Sequence, residues 1–357
     1  MKSNYDILGN HIRLIDTRNR ESITDRVLGI NIDKFFMPSV ANVIGTDLSK
    51  YKLITKGKFA CNPMHVGRDE RLPVALYDEE EPAIVSPAYF MFEVVDNSIL
   101  NEDYLMMWFR RPEFDRICWL HTDGSVRGGI TWDDICRLEL PIPPIEKQLE
   151  IVNSYKAITE RIALKKKIND NLDDTAQTLY QKYFESNSDK SSWKQGTVGD
   201  VLQLQRGHDL PRTEMTGGKY PVAGSTGTIG YHDEFTAEAP VIVMGRSGNI
   251  GNPRLYLCNC WTHNTSLYVK QIYEAEPLWV FYLLKNLNYD SFVGGSAVPT
   301  LNRNDVHAYG IAIPPHELQK SFSQKVMSLI YCKEENLSEI EKLQELQKIM
   351  LTIMSSR

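Results

Sequence analysis

A chain of 357 residues with 42% apolar and 24% charged residues is long enough for about two domains, and its composition matches neither disordered nor collagen-like proteins. Its 46 acidic against 40 basic residues leave a net charge of -6. That balance argues against indiscriminate attraction to nucleic acid, because most such affinity comes from neutralising phosphates, so any DNA contact must be local or shared with a basic partner. No apolar run is long enough to cross a bilayer, and residues 1–13 lack a basic-then-apolar signal pattern, so a cytoplasmic location is expected. Cys61, Cys118, Cys136, Cys258, Cys260 and Cys332 lack framework spacing and read as reduced core thiols.

In chain order, a mixed and turn-rich segment comes first. Its string Asn62-Pro63-Met64-His65 approaches the Asn/Asp-Pro-Pro-aromatic tetrapeptide with which amino-methyltransferases hold their target amine. It lacks the second proline and the ring, and reads as a turn. The acidic run 78–81 reads as a solvated loop kept off any DNA face, and 104–109 as an amphipathic core helix. A short apolar strand then ends in Pro143-Pro144, where a long polar segment begins. Along it Ile151, Tyr155, Ile158, Ile162, Lys165, Asn169, Leu172, Ala176, Leu179 and Tyr183 follow steps of four and three, a heptad seam. Small polar residues at 186–192 read as a linker.

A second mixed segment follows. Its strings from Gly224 to Gly230 and from Gly245 to Gly251 share a Gly-x-x-Gly-x-x-Gly spacing that suits tight turns between short strands, and such turns can also aim N–H groups at phosphate or display Arg246 or Asn249 to a base edge. Cys258, Cys260 and His263 lack the second matched pair that a zinc site needs. Residues 279–284 read as another core helix, and a second apolar strand ends in Pro314-Pro315. The helical segment beyond it carries Phe322, Val326, Leu329, Lys333, Asn336, Ile340, Leu343, Gln347, Met350 and Met354 at the same steps.

These two halves repeat each other without a gap. Gly124-Ser125, Ile130, Asp134-Ile135, Leu140, Ile142, Pro143-Pro144, Glu146 and Gln148 recur 171 positions later as Gly295-Ser296, Leu301, Asp305-Val306, Ile311, Ile313, Pro314-Pro315, Glu317 and Gln319. The prolines suit a first helical turn, and the glutamates favour the positive helix end. Neither seam can be buried alone. The helices either pack on separate domains or on each other, and the matched lengths and central polar breaks favour the second. Antiparallel pairing would place the preceding segments at opposite ends of a bar spanning roughly 57 Å for a helix of about 38 residues. Lys165, Asn169, Lys333 and Asn336 weaken the seam and can set its register.

The joints with their glutamate and glutamine, the paired helices and the two unlike mixed segments resemble the specificity subunit of type I restriction-modification systems, the HsdS family, over essentially the whole chain. The resemblance implies an α+β fold with two target recognition domains separated by a pair of long antiparallel coiled-coil helices in a pseudo-twofold internal repeat. The divisions are 1–143 for the first domain, 144–185 for the first spacer helix, 186–192 for the linker, 193–314 for the second domain and 315–357 for the second spacer helix. It further implies a non-catalytic subunit that reads a bipartite, asymmetric sequence in double-stranded DNA and scaffolds two DNA adenine methyltransferase subunits and the restriction/translocase subunits. S-adenosylmethionine, ATP and Mg would belong to those partners, with no cofactor or metal in this chain. A coiled-coil adaptor or antirestriction-like interaction protein that does not read DNA is the alternative. The first domain resembles the second only near its end, so internal alignment does not place its reading loops.

Neither a phosphate-cradling Gly-x-x-x-x-Gly-Lys-Ser/Thr loop nor a dinucleotide Gly-x-Gly-x-x-Gly turn occurs. DNA-reading candidates are loop arginines that can bond guanine, asparagine that can bond adenine, and lysines that anchor phosphate. They are Arg206, His208, Arg212, Lys219, Arg246 and Asn249 in the second domain, and Lys58, His65, Arg68, Arg71 and Arg127 in the first.

Overall fold

Both halves of the chain open on a short strand followed by a single helical turn. The computed structural model describes residues 5–41, 43–64, 66–122, 128–292 and 300–354, apart from the side chains of 290 and 291. It divides into two compact units, one formed by Met1–Leu164 with Glu339–Arg357 and the other by Lys165–Ser338.

In the first unit Tyr5–Ile7 pairs antiparallel with Glu139–Pro141, the strand of the joint. In the second, Lys194–Thr197 pairs antiparallel with Gly310–Ile313. The next turn is anchored alike in each: Leu8 N–H donates to Leu138 O at 2.7 Å, and Val198 N–H to Tyr309 O at 2.9 Å. Gly9 and Gly199 let these turns lie against the short helices Trp132–Cys136 and Arg303–His307, since a Cβ at Gly9 would fall 2.9 Å from the Cys136 Cβ and one at Gly199 3.2 Å from His307 O.

The sheets repeat too. In the first unit a four-stranded antiparallel sheet runs in the order Ile12–Leu14, Phe90–Val94, Phe59–Cys61, Val74–Leu76. In the second the order is Leu202–Arg206, Ser266–Ile272, Val241–Gly245, Gly251–Tyr256, again antiparallel throughout. Each unit adds a second sheet built on a hairpin whose first strand also pairs in parallel with a late strand, and in the first unit a fourth strand, Lys52–Ile54, extends it beyond the three strands of the second. These parallel partners are Val27–Ile30 with Ala83–Val85, and Tyr220–Gly224 with Trp261–Thr262.

The first domain therefore matches the second from its first strand, not only near its end. A gapless register misses this because Leu8 and Val198 stand 190 positions apart, whereas Leu138 and Tyr309 stand 171 apart. Unequal loops between like strands absorb the difference.

Helices Glu102–Phe109 and Pro277–Lys285 fill corresponding places in the two cores. Residues 104–109 are all buried, so that helix is enclosed on every side rather than amphipathic, as a helix apolar all round must be. Around it Phe59 and Phe92 stack at 5.0 Å, and Phe109 meets Phe59 edge-on at 5.8 Å. Cys61, Cys118 and Cys260 are buried as core thiols. Cys136 is half-buried, and Cys258 and Cys332 are exposed.

The joint is held by one polar hook made twice. Gln148, fully buried, donates through Nε2 to Ile99 O at 2.8 Å and Pro143 O at 2.7 Å, and its Oε1 accepts the Asn101 N–H at 2.9 Å. Gln319 donates to Pro314 O at 2.8 Å and accepts the Glu276 N–H at 3.0 Å. Asn101 and Glu276 are the cap residues of the two core helices, so each glutamine ties a core helix to the start of a long one. Pro144 and Pro315 immediately precede those long helices rather than lying in their first turn, and their carbonyls accept the first helical N–H groups.

The long helices run Ile145–Tyr180, extended by a π turn Gln181–Glu185, and His316–Ile353. The stretch 186–192 contains a helical turn, Ser188–Ser192. Within the second unit Lys165 bonds Asn336, Lys333 bonds Asp173 and Lys325 bonds Tyr183, so one helix descends as the other rises. Within the first unit Thr159 bonds Gln347 and Arg161 pairs with Glu339 in the same sense. The helices thus pack on each other, antiparallel. Ile151, Tyr155, Ile158, Ile162, Leu172 and Leu179 in one, and Phe322, Val326, Leu329, Ile340, Leu343 and Met350 in the other, are all buried or half-buried. The polar break forms a connected layer: Lys165 Nζ donates to Asn336 Oδ1, and Asn336 Nδ2 to Asn169 Oδ1, both at 2.8 Å. Lys165 there meets its own repeat counterpart.

Candidate nucleic-acid interface

In the second domain the glycine strings become the tips of two hairpins. Gly224 pairs with Gly227 around a two-residue turn, and Gly245 with Gly251 around the loop 246–250. Gly227, Gly248 and Gly251 have φ of 118°, 76° and 70°, the left-handed region that favours glycine. The tips touch, because Asn249 Nδ2 donates to Ser225 O at 3.2 Å while its Oδ1 accepts from Asn252 at 2.8 Å. The segment after Leu202–Arg206 joins them: Gly207 N–H donates to Ser266 O at 3.1 Å and His208 N–H to Thr262 O at 2.7 Å. Backbone bonds thus bring the segments bearing Arg206, His208 and Arg246 against the stretch 262–266, and Asn249 joins them through Ser225.

Arg206 reaches Asp209 at 3.3 Å, and exposed His208 lies near the Trp261 and Tyr268 rings. Among the described residues Arg212, Lys219 and Arg246 form no ion pair. Lys219 lies away from the tips, at the far end of the first hairpin. Met215, three residues after Arg212, packs by its sulfur against Gly230 midway along the first hairpin, and Lys219 stands at the hairpin's base with Nζ 4.8 Å from the Tyr220 ring centre.

Strand order now places the first domain's loops. The loop 62–73 joins the same two strands as the loop 246–250, and the match is pinned by Ile130 N–H donating to Pro63 O at 3.1 Å and, 171 positions on, Leu301 N–H donating to Arg246 O at 2.8 Å. Asn62 Oδ1 accepts the Met64 N–H at 3.1 Å, which makes that string a turn. Arg68 and Arg71 lie on this loop. Each carries a carboxylate: Arg68 bonds Asp69 at 2.6 and 2.8 Å, and Arg71 bonds Asp33 at 3.0 Å. Lys58 is drawn inward to Glu93, a buried carboxylate that also holds Arg13. His65, Arg127 and both Gly-Ser steps lie outside the described residues. The acidic run is partly neutralised, Glu79 by Arg26 and Glu80 by Lys56.

Two contributors escape sequence inspection. Arg254 lies against the first tip, where a Cβ on Gly227 would come within 2.5 Å of its guanidinium, and Thr265 bonds both tips. Both depend on strands brought together from distant positions. Cys260 sits in a small apolar cluster with Val241, Val243 and Tyr268, and burial pushes its thiol up to about 12. Among the described residues no three His, Cys, Asp or Glu are grouped to hold a metal, and no helix is long and apolar enough to cross a membrane.

The two domains thus carry unlike side chains on equivalent loops of a similar fold. Residues 190–349 match the family model of the type I restriction modification DNA specificity domain. A Methanocaldococcus jannaschii protein bearing the name of the type I restriction enzyme MjaX specificity subunit is 21% identical across 100% of this chain and 89% of its own length. The type I restriction enzyme HindI specificity subunit of Haemophilus influenzae is 24% identical over 53% of this chain and 40% of its own. The crystal structure of the type I restriction-modification S subunit from M. genitalium has a TM-score of 0.64 at 16% identity, covering 100% of this chain and 97% of that one. A chain from a structure on assembly and conformational transition of the type I system has a TM-score of 0.52 at 16% identity, covering 98% and 96%. The chain is thus similar over its whole length to specificity subunits of type I restriction-modification systems, and its residues 190–349 match the model of their DNA specificity domain.

Proposed function

We propose that the chain reads a split, asymmetric DNA sequence, one half-site per domain, while the paired helices set the gap between the halves. The observation that carries this reading is the matching strand order of the two units' four-stranded antiparallel sheets combined with different residues on equivalent loops: Arg246 and Asn249 in one, Arg68 and Arg71 in the other. A common scaffold gives a common mode of approach, and unlike side chains give unlike half-sites. The twice-made glutamine hook supports a second part of the proposal. Two similar joints offer two similar surfaces, which suits two copies of one DNA adenine methyltransferase subunit, with restriction/translocase subunits joining them. The chain itself is non-catalytic in this reading. S-adenosylmethionine, ATP and Mg act in the partners, in the cytoplasm.

Long-read methylation mapping of cells with and without the chain tests the proposal. A motif of two different short halves separated by unspecified bases should be present only with the chain. A continuous motif, two identical halves or an unchanged methylome would overturn it.

A further inference from the structure

We infer that His263 is a positioning residue that holds three loops of the second domain in the register needed for base reading. This rests on the reading of that domain as a DNA reader. His263 follows the strand Trp261–Thr262 and is half-buried. Its N–H donates to Ala223 O at 2.9 Å, fixing the hairpin whose tip holds Ser225, and its carbonyl accepts from Ser266 N at 3.0 Å and Ser266 Oγ at 2.7 Å. The imidazole spans the remaining space. Nε2 lies 3.2 Å from Leu210 O, a group that only accepts, and Nδ1 lies 2.9 Å from Thr265 Oγ1 and 3.4 Å from the Thr265 N–H, which only donates. These partners assign the neutral ring with its proton on Nε2.

The contacts form a chain. Ser225 N–H donates to Thr265 Oγ1 at 3.3 Å, the Thr265 hydroxyl to His263 Nδ1, and His263 Nε2 to Leu210 O, while Arg246 N–H donates to Thr265 O at 3.0 Å. One ring thus connects the segment bearing Arg206 and His208, the first hairpin tip and the loop bearing Arg246 and Asn249. The close approach is built in at Gly207, where a Cβ would fall 2.2 Å from His263 O.

The corresponding turn of the first domain separates local from long-range duty. Ser86 stands in the place of His263, with Tyr89 N–H donating to Ser86 O at 3.1 Å and Ala88 N–H to Ser86 Oγ at 3.2 Å. A serine closes the turn equally well. An imidazole is needed only where the side chain must also reach a neighbouring loop, as it does at Leu210.

The test uses the full chain in complex with its methyltransferase partner and compares wild type, His263→Ala and His263→Gln. The reading is the ratio of methylation rates on cognate DNA and on DNA with one mismatched base pair, for mismatches in each half-site. His263→Ala should narrow this ratio about tenfold in one half-site, the scale of a single base discrimination, and leave the other within about twofold. His263→Gln, which keeps an N–H for Leu210 O, should fall between. Should His263→Ala fail to assemble, Thr265→Val breaks the same chain at its hydroxyl and should give the same one-sided narrowing. Unchanged ratios, or equal narrowing in both halves, would overturn the inference. A wild-type complex that shows no split motif would overturn the reading of the domain as well.

Discussion

Gln148 and Gln319 show how much one side chain can decide. Each is buried and satisfies carbonyl and N–H groups that have no other means of leaving water, so replacement by alanine orphans those groups rather than merely removing a bond. Gln148→Ala should cost about 2–3 kcal/mol, read by denaturant unfolding, with Gln319→Ala similar. His307 makes a pH-dependent counterpart. Its Nε2 accepts the Leu204 N–H at 2.8 Å, and burial, helped by the Arg303 charge, holds its pKa below the usual histidine value. The unfolded chain therefore binds this proton more readily than the folded one. The stability is fully present above the ordinary histidine pKa and is lost as pH falls through the depressed folded value. Melting temperature should drop less between pH 7.5 and 5.5 in His307→Gln than in wild type. Loop arginines separate by place. Arg246→Ala at the tips should relax one half-site, whereas Arg212→Ala, in the turn Arg212–Glu214 and bonded to neither tip among the described residues, should weaken binding on all sequences and lower the salt slope by about one.

Among the elements, the helix pair combines apolar burial with one polar layer. Asn336→Ala should destabilise the pair by about 1–3 kcal/mol, because the buried Asn169 amide loses its partner. Leucine at both 169 and 336 should instead preserve or raise stability while loosening register, as removing a buried polar pair from a coiled-coil seam does. Thermal denaturation reads the first effect. Broadened or altered gap length in methylation mapping reads the second. The seam was legible in the sequence because its heptad steps are local and its positions are buried or half-buried along both helices. Both core helices were legible as apolar runs, but the all-round burial of 104–109 was not, since it depends on sheets and helices arriving from elsewhere in the chain.

For the whole molecule, the proposed ruler makes a metric prediction. One heptad inserted into each long helix adds roughly 10.5 Å, about three base pairs of duplex, and methylation mapping should find a longer gap between unchanged half-sites. An unchanged gap would count against the helices as the spacer. The net charge of -6 belongs to the same scale, since it disfavours a generally basic surface as the source of any affinity for DNA.

By itself the sequence determined the duplication, the proline joints with their glutamines, and the faces on which two long helices meet. All of these are written in short, fixed spacings that survive from one copy to the other. Only the tertiary structure decided that the domains share a fold from their first strand, that the segments bearing Arg206, His208, Arg246 and Asn249 meet, and that loop 62–73 is the counterpart of loop 246–250. Those relations are set by hydrogen-bonded pairing between strands far apart in the chain. Loops of unequal length between the strands erase the register that would have revealed them.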